Sequence, residues 1–527
     1  MEIVAPRPFI AGSVAGTAAG TAFRMSSAAW LVVVLAAVVR LALFPFADNK
    51  QADAPIRTLL AERMNGNPAA AADPRSFRQL GPLPIEVMRP FLALAGDTRR
   101  ASRFPSLLAG VLAFLPFFAL ARRFGVGAQA ELLAGLALAL APLHIQVSTT
   151  AASEALYLLL LLAMLERLHA ALSSRRHLDF LLAGLLGSLA AVTRYDMWLS
   201  LPFAGAAALF YGPRDRRALA DVALFLTAAA LLPLAYLGWS LKTAGDPFFF
   251  FHYITKDHAN LAAATAGRMG PVAARIRQIG VWAISFAAAM TPLPFAGLSG
   301  MRRTWRAASA ATRVVLVTVL APIGVYLFQG LVFGEFEPLP RFAIAPGAVL
   351  LPLAAATVVA WWGRRTRGAL TALLVTLALA LSGITELLAF ARPGRSWSGA
   401  ECLGPLTRID AEDRALAAYL RANRRPEEGV FIDPLGFTDI VIIQEAGIPI
   451  AKAATLASTR TPSATLAETR ARTAASWFAA HDWAWGGTVI PDWPSDGLRF
   501  GGWRLAHYWP GRIVYVPRRP PAPPAGR

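Results

Sequence analysis

Cysteine and charge are both scarce in this sequence. A single cysteine, Cys402, among 527 residues excludes an internal disulfide framework and any metal site built on several cysteines. Charged residues make up only 16% of the chain, against about 25% in a soluble globular domain. That shortage excludes a disordered chain and a simple soluble enzyme. The C-terminal region carries no glycine fingerprint, Walker loop or His-Glu-x-x-His zinc motif.

What the chain has in quantity is apolar surface. Hydrophobic residues are 56% of the total and the mean hydropathy is +0.48. The net charge is nevertheless +19, from 51 Lys and Arg against 32 Asp and Glu. These basic residues lie scattered between apolar runs rather than gathered on one domain, which argues against a nucleic-acid partner. A multi-span membrane protein whose arginines mark the cytoplasmic side fits both facts.

A helix needs about 20 largely apolar residues to cross the hydrocarbon core. Such stretches fall near 27–46, 104–121, 130–148, 154–171, 178–193, 196–212, 218–240, 279–300, 312–333, 342–362 and 368–390. Arg122-Arg123, Arg175-Arg176, Arg214 with Arg216-Arg217, Arg302-Arg303 with Arg306, and Arg364-Arg365 with Arg367 fall in every second connection. All therefore land on one side, which places the N-terminus in the cytoplasm and the C-terminus outside. The first residues lack a convincing signal-peptide core, so 1–26 reads as a cytoplasmic tail.

The outer loop 47–103 is unusually basic, with Arg57, Arg63, Arg75, Arg78, Arg89, Arg99, Arg100 and Arg103. Within it, Ala54–Asn65 and Pro84–Ala95 have the apolar spacing of short amphipathic helices lying along the membrane surface. A second long outer loop covers 241–278. From about Arg392 the composition becomes that of a soluble domain. Ala411–Arg424, Phe437–Ala446 and Ala464–Ala479 read as helices, and Gly429–Asp433, Gly487–Ile490 and Arg512–Val516 as strands. The expected fold is mainly α, a polytopic membrane protein of about eleven transmembrane helices over 27–391. A small extracytoplasmic α/β domain, 392–527, follows and ends in a Pro-rich tail.

Polar residues at membrane depth or its edge are costly and mark candidate chemistry. Asp48 and Asp53 follow the first span, and His144 and Glu154 surround the third and fourth. Arg194 and Asp196 separate the fifth and sixth, Asp246, Asp257 and His258 lie in the second long outer loop, and Arg341 opens the tenth span. Under this topology all of them face outward. Several have blander uses: Glu154 as a helix N-terminal carboxylate, Arg194 with Asp196 as a local pair, His144 as a packing residue. Asp257 and His258 are adjacent, so both cannot readily aim at one metal ion.

At Asp53 the sequence resembles a family. Asp53-Ala54-Pro55 through Ala61-Glu62-Arg63-Met64 and Gly66 looks like the first outer loop of GT-C membrane glycosyltransferases. It is most similar to the protein O-mannosyltransferases and the lipid A aminoarabinose transferases. Gly81-Pro82-Leu83-Pro84, Gly96-Asp97, Ser102-Arg103-Phe104-Pro105-Ser106, Ala152-Ser153-Glu154-Ala155, Leu189–Thr193 with Arg194-Tyr195-Asp196, Gly245-Asp246-Pro247 and Pro340-Arg341-Phe342 continue it in order. The likeness covers about 27–390. It departs at Ala54, where the family's second acid of an Asp-Glu pair stands, which leaves Asp53 alone or with Asp48.

The resemblance implies an inverting glycosyltransferase that takes its sugar from a polyprenyl-phosphate donor and acts on the extracytoplasmic face. Asp53, with Asp48 as the alternative, would be the general base for an acceptor hydroxyl, its pKa raised by partial desolvation. Arg341, Arg194 and Arg103 would meet the donor phosphate, with Glu154, Asp196, Asp257 and His258 as further substrate-binding residues. The residues name no cofactor, and a need for a divalent cation stays open. The implied partners are the lipid donor, membrane lipids and an acceptor that is glycan, lipid or protein. An Ala/Arg-rich chain without an ER retention signal points to a bacterial inner membrane. The alternative from another class is a transporter or flippase for a lipid-linked or anionic solute. Transporters usually show internal repeats and midplane polar sites, whereas here no convincing repeat is found and the polar residues gather on one face.

Overall fold

The computed structural model describes residues 25–45, 53–66, 80–95, 98–286, 305–362, 411–432, 445–449 and 452–455, with 475–480, 499–500, 503–509 and 512–517 and the short pieces 47, 77, 291, 293, 370–371, 374–375, 377–378 and 442–443. Its helices, in chain order, begin with α1 Ser27–Leu43, α2 Ala54–Gly66, α3 Pro82–Ala95, α4 Thr98–Ala101, α5 Phe104–Leu112 and α6 Phe114–Arg123. Next come α7 Ala128–Ala139, α8 Pro142–Thr149, α9 Glu154–Ser174, α10 His177–Thr193, α11 Asp196–Tyr211 and α12 Arg216–Ala244. The helical part closes with α13 Phe249–Met269, α14 Pro271–Ile284, α15 Ala310–Phe328 (extended by a π-turn, Gln329–Phe333) and a 3-10 turn Pro340–Ala343 leading into α16 Ile344–Trp362.

The boundaries follow local chemistry. Ser26, Asp215 and Ser309 cap α1, α12 and α15 by accepting backbone N–H bonds at 3.2, 2.7 and 3.1 Å. Gly245 ends α12 in the left-handed region, φ 71°. Small residues set the closeness of the bundle: a Cβ on Gly184 of α10 would sit 2.5 Å from the Phe225 carbonyl of α12, so the backbones meet where no side chain fits.

Five helical stretches among the described residues are long and apolar enough to span: Phe104–Arg123, Glu154–Ser174, Arg216–Ala244, Ala310–Phe333 and Pro340–Trp362. A sixth arises if α7 and α8, bent by 55° at their break, form one span. The expected spans at 27–46, 178–193 and 196–212 are helices of 17, 17 and 16 residues. The expected span 279–300 is described only in part, and most of 368–390 lies outside the described residues.

The α7–α8 break frees the backbone carbonyl of Ala139 inside the protein, and Arg40 of α1 answers it. Its fully buried guanidinium donates to Ala36 O at 3.0 Å, to Ala139 O at 3.2 Å, and lies 2.8 Å from His144 Nδ1. His144 is therefore a buried polar partner at the break, not a packing residue alone.

In the C-terminal part, α17 Ala411–Asn423 accompanies a six-stranded sheet of order β2-β1-β3-β6-β5-β4. Its strands are β1 Gly429–Ile432, β2 Ala453–Thr455, β3 Ala475–Ala480, β4 Arg499–Phe500, β5 Trp503–Trp509 and β6 Arg512–Pro517. β1 runs parallel to β2 and β3, and β3, β6, β5 and β4 pair antiparallel. The helix expected over Ala464–Ala479 is overturned at its end: 475–480 is a central strand, because two neighbouring strands satisfy its backbone where alanine propensity alone favours a helix. Gly487–Ile490 lies outside the described residues, as do the terminal tails 1–24 and 518–527.

The first-loop helix α2 is not laid on a lipid surface as expected. Leu59 packs with Leu416, Leu420, Val430 and Ile443 of the C-terminal part, while Leu60, Ala61 and Met64 pack with Ile85, Met88 and Leu92 of α3. Its apolar residues are covered by protein on both sides, which fixes Asp53 at its N-terminal end. Gly81, just before α3, abuts the carbonyls of Val192 and Thr193, inside the contact distance of any added Cβ. Gly81→Ala is expected to destabilise the protein by about 1–3 kcal/mol, the usual cost of overpacking. A lowered thermal unfolding midpoint in detergent would register it, and an unchanged midpoint would refute the close contact.

Candidate active site

Four separate segments converge on one array of charges. Asp53 enters from the start of α2, Glu154 is the first residue of α9, Arg194 and Asp196 flank the α10–α11 turn, and Arg341 sits in the 3-10 turn before α16. The partners alternate in sign. Asp53 Oδ2 accepts from Arg57 Nη2 at 3.2 Å and from Arg341 Nη1 at 3.1 Å. Arg341 Nε lies 3.7 Å from Glu154 Oε1, which also pairs closely with Arg194 Nη1. Arg194 Nε donates to Asp196 Oδ2 at 2.7 Å, and the Tyr326 hydroxyl donates to Asp196 Oδ1 at 2.8 Å.

The turn carrying Arg194 and Asp196 is locked by the residue between them. The Tyr195 hydroxyl donates to Leu80 O at 3.2 Å and lies 3.1 Å from the Tyr236 hydroxyl, from which it can accept, and its ring stacks on Phe250 at 4.4 Å. Local pairing of Arg194 with Asp196 is thus one link of a longer array, and Glu154 is more than a helix-terminal carboxylate.

A cavity opens beside the array. Glu154, Arg194, Asp196 and Arg341 line it together with Leu161, Val319, Pro322 and Ile323. Leu161 stands seven residues along α9 from Glu154, and Val319 seven before Tyr326 on α15. At about 1.5 Å per residue each is about 10 Å deeper than the charges. The cavity therefore has a charged head and an apolar tail. Trp282, Tyr157, Phe342 and Tyr326 line it as well, and the Arg194 guanidinium lies 5.8 and 5.7 Å from the Tyr157 and Phe342 rings.

Burial pushes the Asp53 carboxyl up, but the guanidiniums of Arg341, Arg57 and Arg194 outweigh it and hold the group below the usual carboxylate range. The expectation of a raised pKa is thereby corrected: desolvation acts as foreseen, and three nearby cations overcome it. The ion pairs of Asp53 are then fully present above about pH 4, the ordinary Asp value. They are lost as pH falls through the lowered value. Asp53→Asn should therefore flatten the acid limb of the stability profile. Unfolding midpoints measured from pH 7 down to pH 3 would show a smaller acid drop than wild type, and identical curves would count against the pairing.

The other sequence candidates fall in different places. His258 is stacked on Phe336, ring centroids 4.6 Å apart, beside Phe342. Burial, then the Arg341 charge, lowers its pKa, so it adds no cation to the array. Asp257 lies on α13, and its side chain, like the whole of Asp48, lies outside the described residues. Arg103 is not brought to the cavity. It is buried, 4.2 Å over the Phe44 ring, and bonds the carbonyls of Ala47 and Thr149, so its charge ties loop backbone instead of facing a phosphate. Among the described residues no group of three or more His, Cys, Asp or Glu could hold a metal ion.

Sequence reasoning passed over Arg57 and Tyr326. The four-residue spacing of Asp53 and Arg57 on a helix was a usable signal. Tyr326 meets Asp196 from 130 residues away, and no local pattern announces that.

Residues 81–239 match the family model described as dolichyl-phosphate-mannose-protein mannosyltransferase. No curated protein matches the sequence of the chain. Among solved structures, the chain is similar to ArnT from Cupriavidus metallidurans in the apo state, with TM-score 0.58 and 14% identity over 92% of this chain and 97% of that one. ArnT bound to undecaprenyl phosphate gives TM-score 0.55 and 14% identity over 93% and 98%. The oligosaccharyltransferase AglB from Archaeoglobus fulgidus, in complex with an inhibitory peptide and a dolichol-phosphate, gives 0.52 and 13% over 86% and 69%. The resemblance read from the ordered motifs is met: the chain has the GT-C fold of membrane glycosyltransferases.

Proposed function

We propose that this GT-C-fold chain is an integral-membrane glycosyltransferase that moves a sugar from a polyprenyl-phosphate carrier to an acceptor on the extracytoplasmic face, with inversion. The observation that carries this reading is the cavity, whose arginines and carboxylates sit at one end and whose Leu161, Val319 and Ile323 lie deeper. An amphiphile with an anionic head and an isoprenoid tail fits that division. ArnT and AglB, which share the fold, were solved with undecaprenyl phosphate and a dolichol-phosphate.

In the proposed step the acceptor oxygen bonds to the anomeric carbon as the carbon–oxygen bond to phosphate breaks. Asp53 takes the hydroxyl proton, and polyprenyl phosphate leaves with the bonding pair. Both hydrogen bonds of Asp53 fall on Oδ2, so Oδ1 makes none among the described residues and is the oxygen for the acceptor. Arg341 and Arg194 lie where charge develops on the leaving phosphate, and fixed cations there lower the barrier. Asp196, held by Tyr326, and Glu154 keep those arginines in place.

The organisation follows: a cytoplasmic tail 1–26, a membrane module 27–391 of eleven spans and an outer α/β domain 392–527 in a bacterial inner membrane. The test is an incubation of purified protein in detergent with radiolabelled polyprenyl-phosphate sugars and candidate acceptors. Transfer without a sealed compartment supports the enzyme. Activity seen only across vesicles would point instead to a transporter or flippase.

A further inference from the structure

Among the described residues the charged array is balanced: three carboxylates, Asp53, Glu154 and Asp196, against three guanidiniums, Arg57, Arg194 and Arg341. An anionic donor brings further negative charge into a largely buried place, so one carboxylate has to give way for the phosphate to be compensated. The geometry identifies which. Arg57 and Arg341 both donate to the same oxygen, Asp53 Oδ2. Arg57 is only 3% exposed, and its Nε and Nη1 make no hydrogen bond among the described residues. Those two nitrogens can therefore take a further acceptor without giving up a partner among the described residues. One carboxylate oxygen occupies only Nη2, whereas a phosphate group presents several oxygens to the same planar fork. Arg341 lines the cavity, and Arg57 lies one carboxylate oxygen beyond it.

We propose that Asp53 Oδ2 occupies the seat of the donor phosphate, a clamp of Arg57 and Arg341 that exchanges carboxylate for phosphate when the donor arrives. Arg57 is thereby a donor-binding residue. Binding of the donor phosphate is also what frees Asp53 to turn toward the acceptor, so the base is sequestered until a phosphate carrier is seated. The inference rests on the reading of the cavity as a polyprenyl-phosphate site.

Binding of undecaprenyl phosphate to the purified full chain in nanodiscs, with undecaprenol as the phosphate-free control, tests it without turnover. Asp53→Asn, which empties the seat of its resident charge, should bind undecaprenyl phosphate about tenfold more tightly than wild type and undecaprenol no differently. Arg57→Gln should weaken phosphate binding about tenfold, and should do so in the Asp53→Asn background as well. Arg57→Lys, which keeps the charge and the fold but not the fork, should fall between. Wild-type binding with no gain in Asp53→Asn, or no loss in either Arg57 variant, overturns the exchange while leaving the donor site standing. Failure of wild type and every variant to bind undecaprenyl phosphate overturns the exchange and the donor reading together.

Discussion

Asp53→Asn is expected to reduce sugar transfer by roughly 10²–10⁴-fold, the range typical for loss of a general base, while the protein still folds and inserts. The substitution keeps the shape of the side chain and one hydrogen-bond acceptor for Arg57 and Arg341. It removes the charge that accepts the proton. Asp53 is a weak base in the donor-free array, because the guanidiniums around it hold it ionised. Its basicity rises only if a partner is taken away, so the loss should appear in kcat with little rise in the donor KM. Asp48→Asn, made in parallel, separates the two carboxylates of the first loop. The measurement is initial transfer rate against donor concentration. Full activity in Asp53→Asn would remove this residue from the mechanism, and loss confined to Asp48→Asn would reassign the base.

Glu154→Gln should be the most damaging change to stability. Glu154 is 2% exposed and is the shared counter-ion of Arg194 and Arg341. Breaking a buried ion pair from one side typically costs about 3–5 kcal/mol, since the cation left behind is neither solvated nor compensated. Here two guanidiniums lose a partner. The expected result is a large fall in unfolding midpoint, with wild-type stability recovered in part by adding undecaprenyl phosphate, whose charge substitutes for the missing carboxylate. A midpoint within error of wild type would show that the array does not depend on Glu154.

Much of this site was legible because membranes make polar residues conspicuous. Asp53, Glu154, Arg194, Asp196 and Arg341 stand out against apolar runs, and the structure joins all five although Asp53 and Arg341 are 288 residues apart. Arg57 was hidden by its company, one of several arginines in a basic loop, and what separates it from the rest is its buried bond to Asp53. Arg103 was misleading for the same reason: the sequence shows a charge near the membrane edge but not that backbone carbonyls already hold it. The depressed pKa of Asp53 was out of reach as well, since burial is readable from hydropathy and the positions of three cations are not. On 475–480 local composition favoured one element, and pairing with distant strands decided for the other.

The arginine at the α7–α8 break bears on the order in which the chain is assembled. Arg40 lies in the first expected span, and its partners Ala139 and His144 come 99 and 104 residues later. Under the eleven-span reading, α1 reaches the bilayer during synthesis before either exists. Arg40 stands in the last turn of α1, where an arginine costs less than the about 2.5–3.5 kcal/mol of a central one but still weakens insertion. The first span is accordingly a hesitant anchor, held in place only once α7 and α8 arrive and take up its charge. Nascent chains arrested before residue 139 should be extracted from membranes more readily than longer ones, and Arg40→Leu should abolish that difference.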